Sequence, residues 1–167
     1  SEASGRVDAV HVYATAQANG SSACDAPWPE VLAVQCSDVA DRGVRCAGLP
    51  AHFGTAIATG DVDGDGRDEL LVGAPHATVD QTTRAGAVYV LRGSGSGAAL
   101  TLATSTVLRD AAPTVDAFLG RDVRVALIGQ REEPIVAAPG ITAVRVYFCT
   151  GLDGDRPNTA GLGLECR

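Results

Sequence analysis

The 167-residue sequence predicts an all-β protein. Its apolar residues fall in short runs bounded by glycine or proline, and its 20 glycines allow frequent turns. One alternating strand pattern occurs three times, at residues 9–13, 87–90 and 143–147. Three copies of the same strand pattern indicate a repeat protein.

Residues 53–75 read FGTAIATGDVDGDGRDELLVGAP and contain a loop that is rich in carboxylates. Counted from Asp61, carboxylates occupy positions 1, 3, 5 and 9, and glycine occupies position 6. In a tight loop the alternate side chains point inward, and the glycine permits a sharp turn. Such carboxylates repel one another unless a divalent cation lies between them, and Ca²⁺ tolerates an irregular oxygen cage. The predicted Ca²⁺ ligands are Asp61, Asp63, Asp65, the backbone carbonyl of Arg67, and Glu69.

The first half of this loop matches an EF-hand, but the second half does not. An EF-hand requires glutamate at position 12 and a helix on each side. Position 12 here is Val72, and residues 70–75, LLVGAP, are typical of a short buried strand. The sequence therefore predicts a loop between two strands.

The two ends of the segment carry a recognisable pattern. Phe53-Gly54, the DVDGDGRDE loop and Gly73-Ala74-Pro75 together resemble an FG-GAP repeat, the blade motif of integrin α-subunit β-propellers. Glu69 departs from the usual aspartate at the ninth position, and its longer side chain still reaches an ion. The resemblance implies β-propeller blades, about two of them plus a partial one, in which Ca²⁺ stabilises the blade loop.

The resemblance also divides the chain. We expect the degenerate repeat to be metal-free, because Phe118-Leu119-Gly120 and residues 135–139 repeat the two ends while Glu132 and Glu133 alone remain between them. Since an integrin-like propeller has seven blades, we predict a partial or oligomer-completed propeller that associates with a protein partner or another copy. The predicted units are a closing strand of a partial blade (1–16), a cysteine-containing insertion (17–50), a calcium-binding repeat (51–97), a degenerate repeat (98–150) and a C-terminal tail (151–167).

Composition restricts the possible partners and the compartment. A net charge of −7 without a basic run argues against nucleic acid and anionic membranes, and no apolar stretch is long enough to span a membrane. Five cysteines without a C-x-x-C pair favour disulfides in an extracellular setting over zinc binding. By proximity we predict pairing of Cys149 with Cys166 and of two among Cys24, Cys36 and Cys46.

The favoured function is a calcium-binding, secreted or cell-surface module for protein binding or adhesion, with loops such as 76–84 as its binding surface. Two alternatives stay open, a structural subunit of a self-assembling surface structure and a non-catalytic accessory domain of a secreted hydrolase. No Ser-His-Asp arrangement, paired-acid motif or phosphate-binding loop is recognisable, so we expect no enzymatic activity. The sequence specifies neither the ligand nor the full disulfide connectivity.

Overall fold

The computed structural model describes residues 8–13, 30–39, 43–46, 51–95, 99–146, 149–150 and 165–166. Within these ranges the chain forms strands and two 3₁₀ turns (Cys36–Val39 and Pro139–Ile141), with no α-helix, so the all-β prediction is confirmed. The strands are β1 (Ala9–Tyr13), β2 (Glu30–Gln35), β3 (Val44–Arg45), β4 (Ile57–Gly60), β5 (Glu69–Ala74), β6 (Thr78–Val79), β7 (Ala87–Ser94), β8 (Thr101–Leu108), β9 (Val123–Ile128), β10 (Arg131–Ala138), β11 (Ala143–Val146), β12 (Cys149–Thr150) and β13 (Glu165–Cys166).

A four-stranded antiparallel sheet, in the order β4-β5-β7-β8, forms the centre of the fold. Val72 of β5 pairs with Ile57 on one side and with Tyr89 on the other. Because successive side chains of a strand point to opposite faces, the apolar runs of β5 and β7 supply both faces of this sheet. β5 is buried almost throughout and β7 is buried from Ala87 to Leu91, which explains why these stretches read as continuous apolar runs.

Each face of the central sheet packs against a neighbouring sheet. The front face, which includes Val72 and Tyr89, belongs to a core cluster with Val10 of β1 and Val34 of β2. The rear face, which includes Leu71, Val88 and Val90, belongs to a second cluster with residues of β9 and β10. The described sheets are therefore stacked, with the central sheet between two others.

The N-terminal neighbour is the antiparallel pair β1-β2, in which Val10 lies opposite Val34. Residues 31–34, within the insertion predicted over 17–50, thus pair with β1. A disulfide joins Cys36 to Cys46 and confirms the prediction that two of the three nearby cysteines pair. Cys24, the third of them, lies outside the described residues.

The C-terminal neighbour is the three-stranded sheet β11-β10-β9, and it repeats the central sheet in register. Gly54 donates its N–H to the carbonyl of Gly73 at 3.0 Å, and Gly120 donates to Ala137 at the same distance. The strand pairs Ile57↔Val72 and Val123↔Val136 are equivalent in this alignment, as are Ala74↔Ala87 and Ala138↔Ala143. The degenerate repeat therefore adopts the same strand arrangement as the central one.

Two strand pairings involve segments near the predicted unit boundaries. Residues 101–108 fall within the unit predicted over 98–150, and there β8 pairs with β7 as the fourth strand of the central sheet. In the tail, the backbone of β12 pairs with β13 and places Cys149 opposite Cys166. The disulfide between them stays a prediction, and the rest of the tail, residues 151–164 and Arg167, lies outside the described residues.

Candidate metal centre

The carboxylate-rich segment is the connection between β4, which ends at Gly60, and β5, which begins at Glu69. Gly64 and Gly66 have φ angles of 80° and 85°, a left-handed conformation that glycine adopts without steric cost. The loop therefore turns twice within a few residues. This is the sharp turn that the glycine at the sixth position predicted.

Backbone amides of the loop hold its aspartates in place. Asp61 accepts hydrogen bonds from the N–H of Gly64 at 2.8 Å and of Gly66 at 2.9 Å. Asp63 Oδ1 accepts from Asp65 N–H at 3.0 Å, and Asp65 Oδ1 accepts from Arg67 N–H at 2.9 Å. As a result, Asp61, Asp63 and Asp65 each bring a carboxylate oxygen within 4.8 Å of the other two.

Two carboxylates of the site are removed from solvent. The side chain of Asp63 is 4% exposed and that of Glu69 is 1% exposed. Oδ2 of Asp63 and Oε1 of Glu69 are buried and accept no hydrogen bond. The pKa of Glu69 is raised to about 7, mainly by burial and then by the charge of Asp65, while a hydrogen bond from Val62 N–H acts to lower it. Carboxylate charges buried in this way are costly, and a cation that contacts them offsets the cost.

Arg92, near the end of β7, has its guanidinium next to these oxygens. Its guanidinium forms an ion pair with Asp63 and lies 3.8 Å from Asp65 and 3.7 Å from Glu69. The sequence analysis missed this residue. The register of β7 against β5 accounts for its position. Leu91 pairs with Leu70, so the next residue, Arg92, lies beside Glu69.

The structure brings three of the five predicted ligands, Asp61, Asp63 and Asp65, into one group. Glu69 lies at the base of the loop, where its Oε2 accepts a hydrogen bond from Val62 N–H at 3.2 Å. The Arg67 side chain is exposed and its N–H contacts Asp65. A cluster of this composition, all oxygen donors with strong negative charge, suits a hard divalent cation better than a transition metal.

The loops at the opposite end of the sheets contain residues with positive φ and stacked aromatic rings. All seven non-glycine residues with positive φ among the described residues lie in its loops. There His76 stacks on His52 with ring centroids 4.0 Å apart and lies 5.2 Å from the ring of Phe118. Arg84 forms an ion pair with Asp116 beside them. We call this the loop end; it consists of residues 51–56, 75–86, 109–122 and 139–142.

The described residues form a protein of stacked antiparallel sheets. Two of the sheets have equivalent strand pairing, and an acidic loop lies at one end of the central sheet. The FG-GAP repeat family matches residues 53–91. The chain is also 48% identical over 48 residues to "Integrin alpha-PS2" of Drosophila melanogaster, a match that covers 26% of this chain and 3% of that protein. The chain therefore contains an FG-GAP repeat and is integrin α-like over this segment, which confirms the resemblance. No helix in the described ranges is long and apolar enough to cross a membrane.

Proposed function

We propose that this chain is a calcium-binding, extracellular FG-GAP module that binds other proteins without catalysing a reaction. Ca²⁺ binds Asp61, Asp63, Asp65, the carbonyl of Arg67 and Glu69 and stabilises the loop between β4 and β5. The observation that carries the proposal is the group of three aspartate carboxylates within 4.8 Å of one another, next to the buried carboxylate of Glu69, whose Oε1 accepts no hydrogen bond.

The metal has a structural role in this proposal. Four carboxylates at the end of a sheet repel one another, and bound Ca²⁺ converts this repulsion into attraction. Extracellular calcium modules bind with Kd values of roughly 10⁻⁴ to 10⁻³ M, so the loop is ordered in calcium-rich fluid. At calcium about tenfold above Kd, mass action adds about 1.4 kcal/mol to the free energy of unfolding.

Thermal unfolding with and without calcium tests the metal site. We expect saturating calcium to raise the Tm of the wild-type chain by about 2–6 °C relative to excess chelator. The variant Asp63→Asn removes the charge of the most buried aspartate and should lose this increase. Asp68→Asn is the matched control, because Asp68 is an exposed residue of the same loop outside the three-aspartate group. Equal Tm values of the wild-type chain in calcium and in chelator would refute the metal site.

The extracellular assignment is supported by the Cys36–Cys46 disulfide and by the integrin α-like segment. Disulfides persist mainly in oxidising compartments, and weak calcium sites fill mainly outside cells. The two features therefore agree on the same environment.

We place the protein-binding surface at the loop end. Its non-glycine residues with positive φ carry a cost of about 1–3 kcal/mol each, and such strained positions cluster at binding sites. A rigid stack of sheets below holds these loops in fixed positions, which limits the entropy lost on binding.

A cell-attachment assay tests the adhesion half of the proposal. A surface coated with the wild-type chain should retain cells in calcium and release them in chelator, whereas a surface coated with Asp63→Asn should retain fewer cells in calcium. Retention no higher than on an albumin-coated surface would contradict an adhesive role while leaving the metal site intact.

A further inference from the structure

The hairpin β4-β5 of the central repeat and the hairpin β9-β10 of the degenerate repeat have equivalent strand pairs up to one position. They differ beyond that position. In the central sheet Gly60 pairs with Glu69, and the acidic loop begins directly after this pair. The equivalent pair in the C-terminal sheet is Ala126↔Glu133, and there the strands continue through Leu127↔Glu132 to a tight turn after Ile128. Where the central repeat has the acidic loop, the degenerate repeat therefore has two further strand pairs and a tight turn, which make its hairpin longer.

This longer hairpin reaches the acidic loop of the central repeat, because β9 packs beside β4. Oε2 of Glu132 accepts a hydrogen bond from the N–H of Asp61 at 2.9 Å in a partly buried position. The residue before it, Gly60, leaves room for this contact, since a Cβ there would overlap Oε2 of Glu132 and Cγ1 of Val125. Glu133, next to Glu132 on the strand, points to the other face.

Two glutamate side chains therefore accept hydrogen bonds from two consecutive backbone amides at the start of the loop. Glu69, from the loop's own sheet, accepts from Val62 N–H at 3.2 Å, and Glu132, from the neighbouring sheet, accepts from Asp61 N–H at 2.9 Å. Asp61 is the first residue of the acidic pattern, and its carboxylate in turn organises Gly64 and Gly66. Its backbone position thus affects the geometry of the whole loop.

We propose that Glu132 is a positioning residue for the metal loop, through which the degenerate repeat controls the calcium affinity of its neighbour. This inference specifies what positions the proposed calcium loop, and it rests on the proposed function. Glu132 fixes the backbone of Asp61 by accepting a hydrogen bond and does not coordinate the ion. Residues that orient metal ligands in this way typically change affinity about 10–100-fold when they are removed.

Calcium affinity of two substitutions at Glu132 tests this role. Glu132→Ala should weaken calcium binding by about tenfold in isothermal titration, because the amide of Asp61 loses its acceptor. Glu132→Gln retains a side-chain oxygen acceptor while losing the charge, and its affinity should stay within about threefold of wild type. The control Asp122→Asn removes a carboxylate from the opposite end of the same sheet and should leave the affinity unchanged.

Hydrogen exchange in chelator gives a second readout that does not depend on calcium. The Asp61 amide should exchange faster in Glu132→Ala than in the wild-type chain, and Glu132→Gln should restore slow exchange. A purely electrostatic role of Glu132 predicts equal behaviour of the alanine and glutamine variants, and that outcome would overturn the inference.

The outcomes separate this inference from the proposed function. If the wild-type chain binds calcium and all three variants bind it equally well, the positioning role of Glu132 is wrong and the calcium site stands. If the wild-type chain shows no calcium binding, the proposed function falls, and the inference falls with it.

Discussion

Arg92 leads to the most informative prediction, because its substitution should lower the stability of the metal-free chain and raise its calcium affinity. Its guanidinium contacts Asp63 and lies 3.7 Å from Glu69, while 44% of its side chain is exposed. A divalent cation and the guanidinium compete for the same carboxylates. We therefore expect Arg92 to move toward solvent when Ca²⁺ binds and to act as the counter-ion of the metal-free loop.

The size of the effect follows from the geometry. For Arg92 and ionised Glu69, at 3.7 Å and an effective dielectric constant of about 20, Coulomb's law gives about 4.5 kcal/mol. Solvent screening and the ordering of an exposed arginine reduce the net value to about 1–2 kcal/mol. The variant Arg92→Gln should therefore lose about 2–8 °C of Tm in chelator. Because the calcium-bound state no longer uses this contact, the same free energy should appear as calcium binding that is about tenfold tighter.

Thermal unfolding in chelator and isothermal titration with calcium measure the two effects on the same samples. Arg109→Gln is the control, because Arg109 pairs with Asp80 at 3.2 Å at the loop end, far along the sheets from the acidic loop. Its calcium affinity should equal that of the wild-type chain. Unchanged Tm and unchanged affinity of Arg92→Gln, or a loss in both, would refute competition between arginine and metal.

Two further predictions concern the loop end and the packing between the sheets. Burial lowers the pKa of His76 from its ordinary 6.5, with His52 and Arg84 acting in the same direction. The unfolded chain therefore takes up this proton first, and the free energy of unfolding should fall as the pH drops below about 6.5. His76→Gln should show a smaller fall in denaturant titrations between about pH 7 and pH 5, and parallel curves would contradict this. Separately, a Cβ at Gly73 would overlap the backbone carbonyl of Gly120, so Gly73→Ala should cost about 1–3 kcal/mol in the same titrations, a cost that an unchanged midpoint would disprove.

The features that the sequence predicted are those encoded by residues close together in the chain. Alternating carboxylates with glycine specify the acidic loop, and the apolar runs on both sides specify its flanking strands. The equivalence of the two repeats could also be seen, because Phe118-Leu119-Gly120 keeps the glycine that bonds across to the next strand. Local backbone geometry determines each of these features.

The features that the sequence did not predict depend on which strands pair over long distances. The contact of Arg92 with Asp63 requires the register of β7 against β5, and the contact of Glu132 with Asp61 requires two sheets to stack. The assignment of β8 to the central sheet likewise depends on pairing with β7. Alternation along one strand is compatible with several partners and registers, so it cannot select among them.

The two hairpin forms of the repeat place a constraint on how such a protein changes over evolutionary time. Eight residues, 61–68, separate the paired ends Gly60 and Glu69, whereas six residues, 127–132, separate Ala126 and Glu133. Two added residues cost little closure entropy, so the six-residue connection could be lengthened to the eight residues of the acidic loop. That conversion would dismantle the strand extension that holds Glu132 against Asp61. If Glu132 positions Asp61 as proposed, a second metal loop in the degenerate repeat would therefore weaken the site of its neighbour.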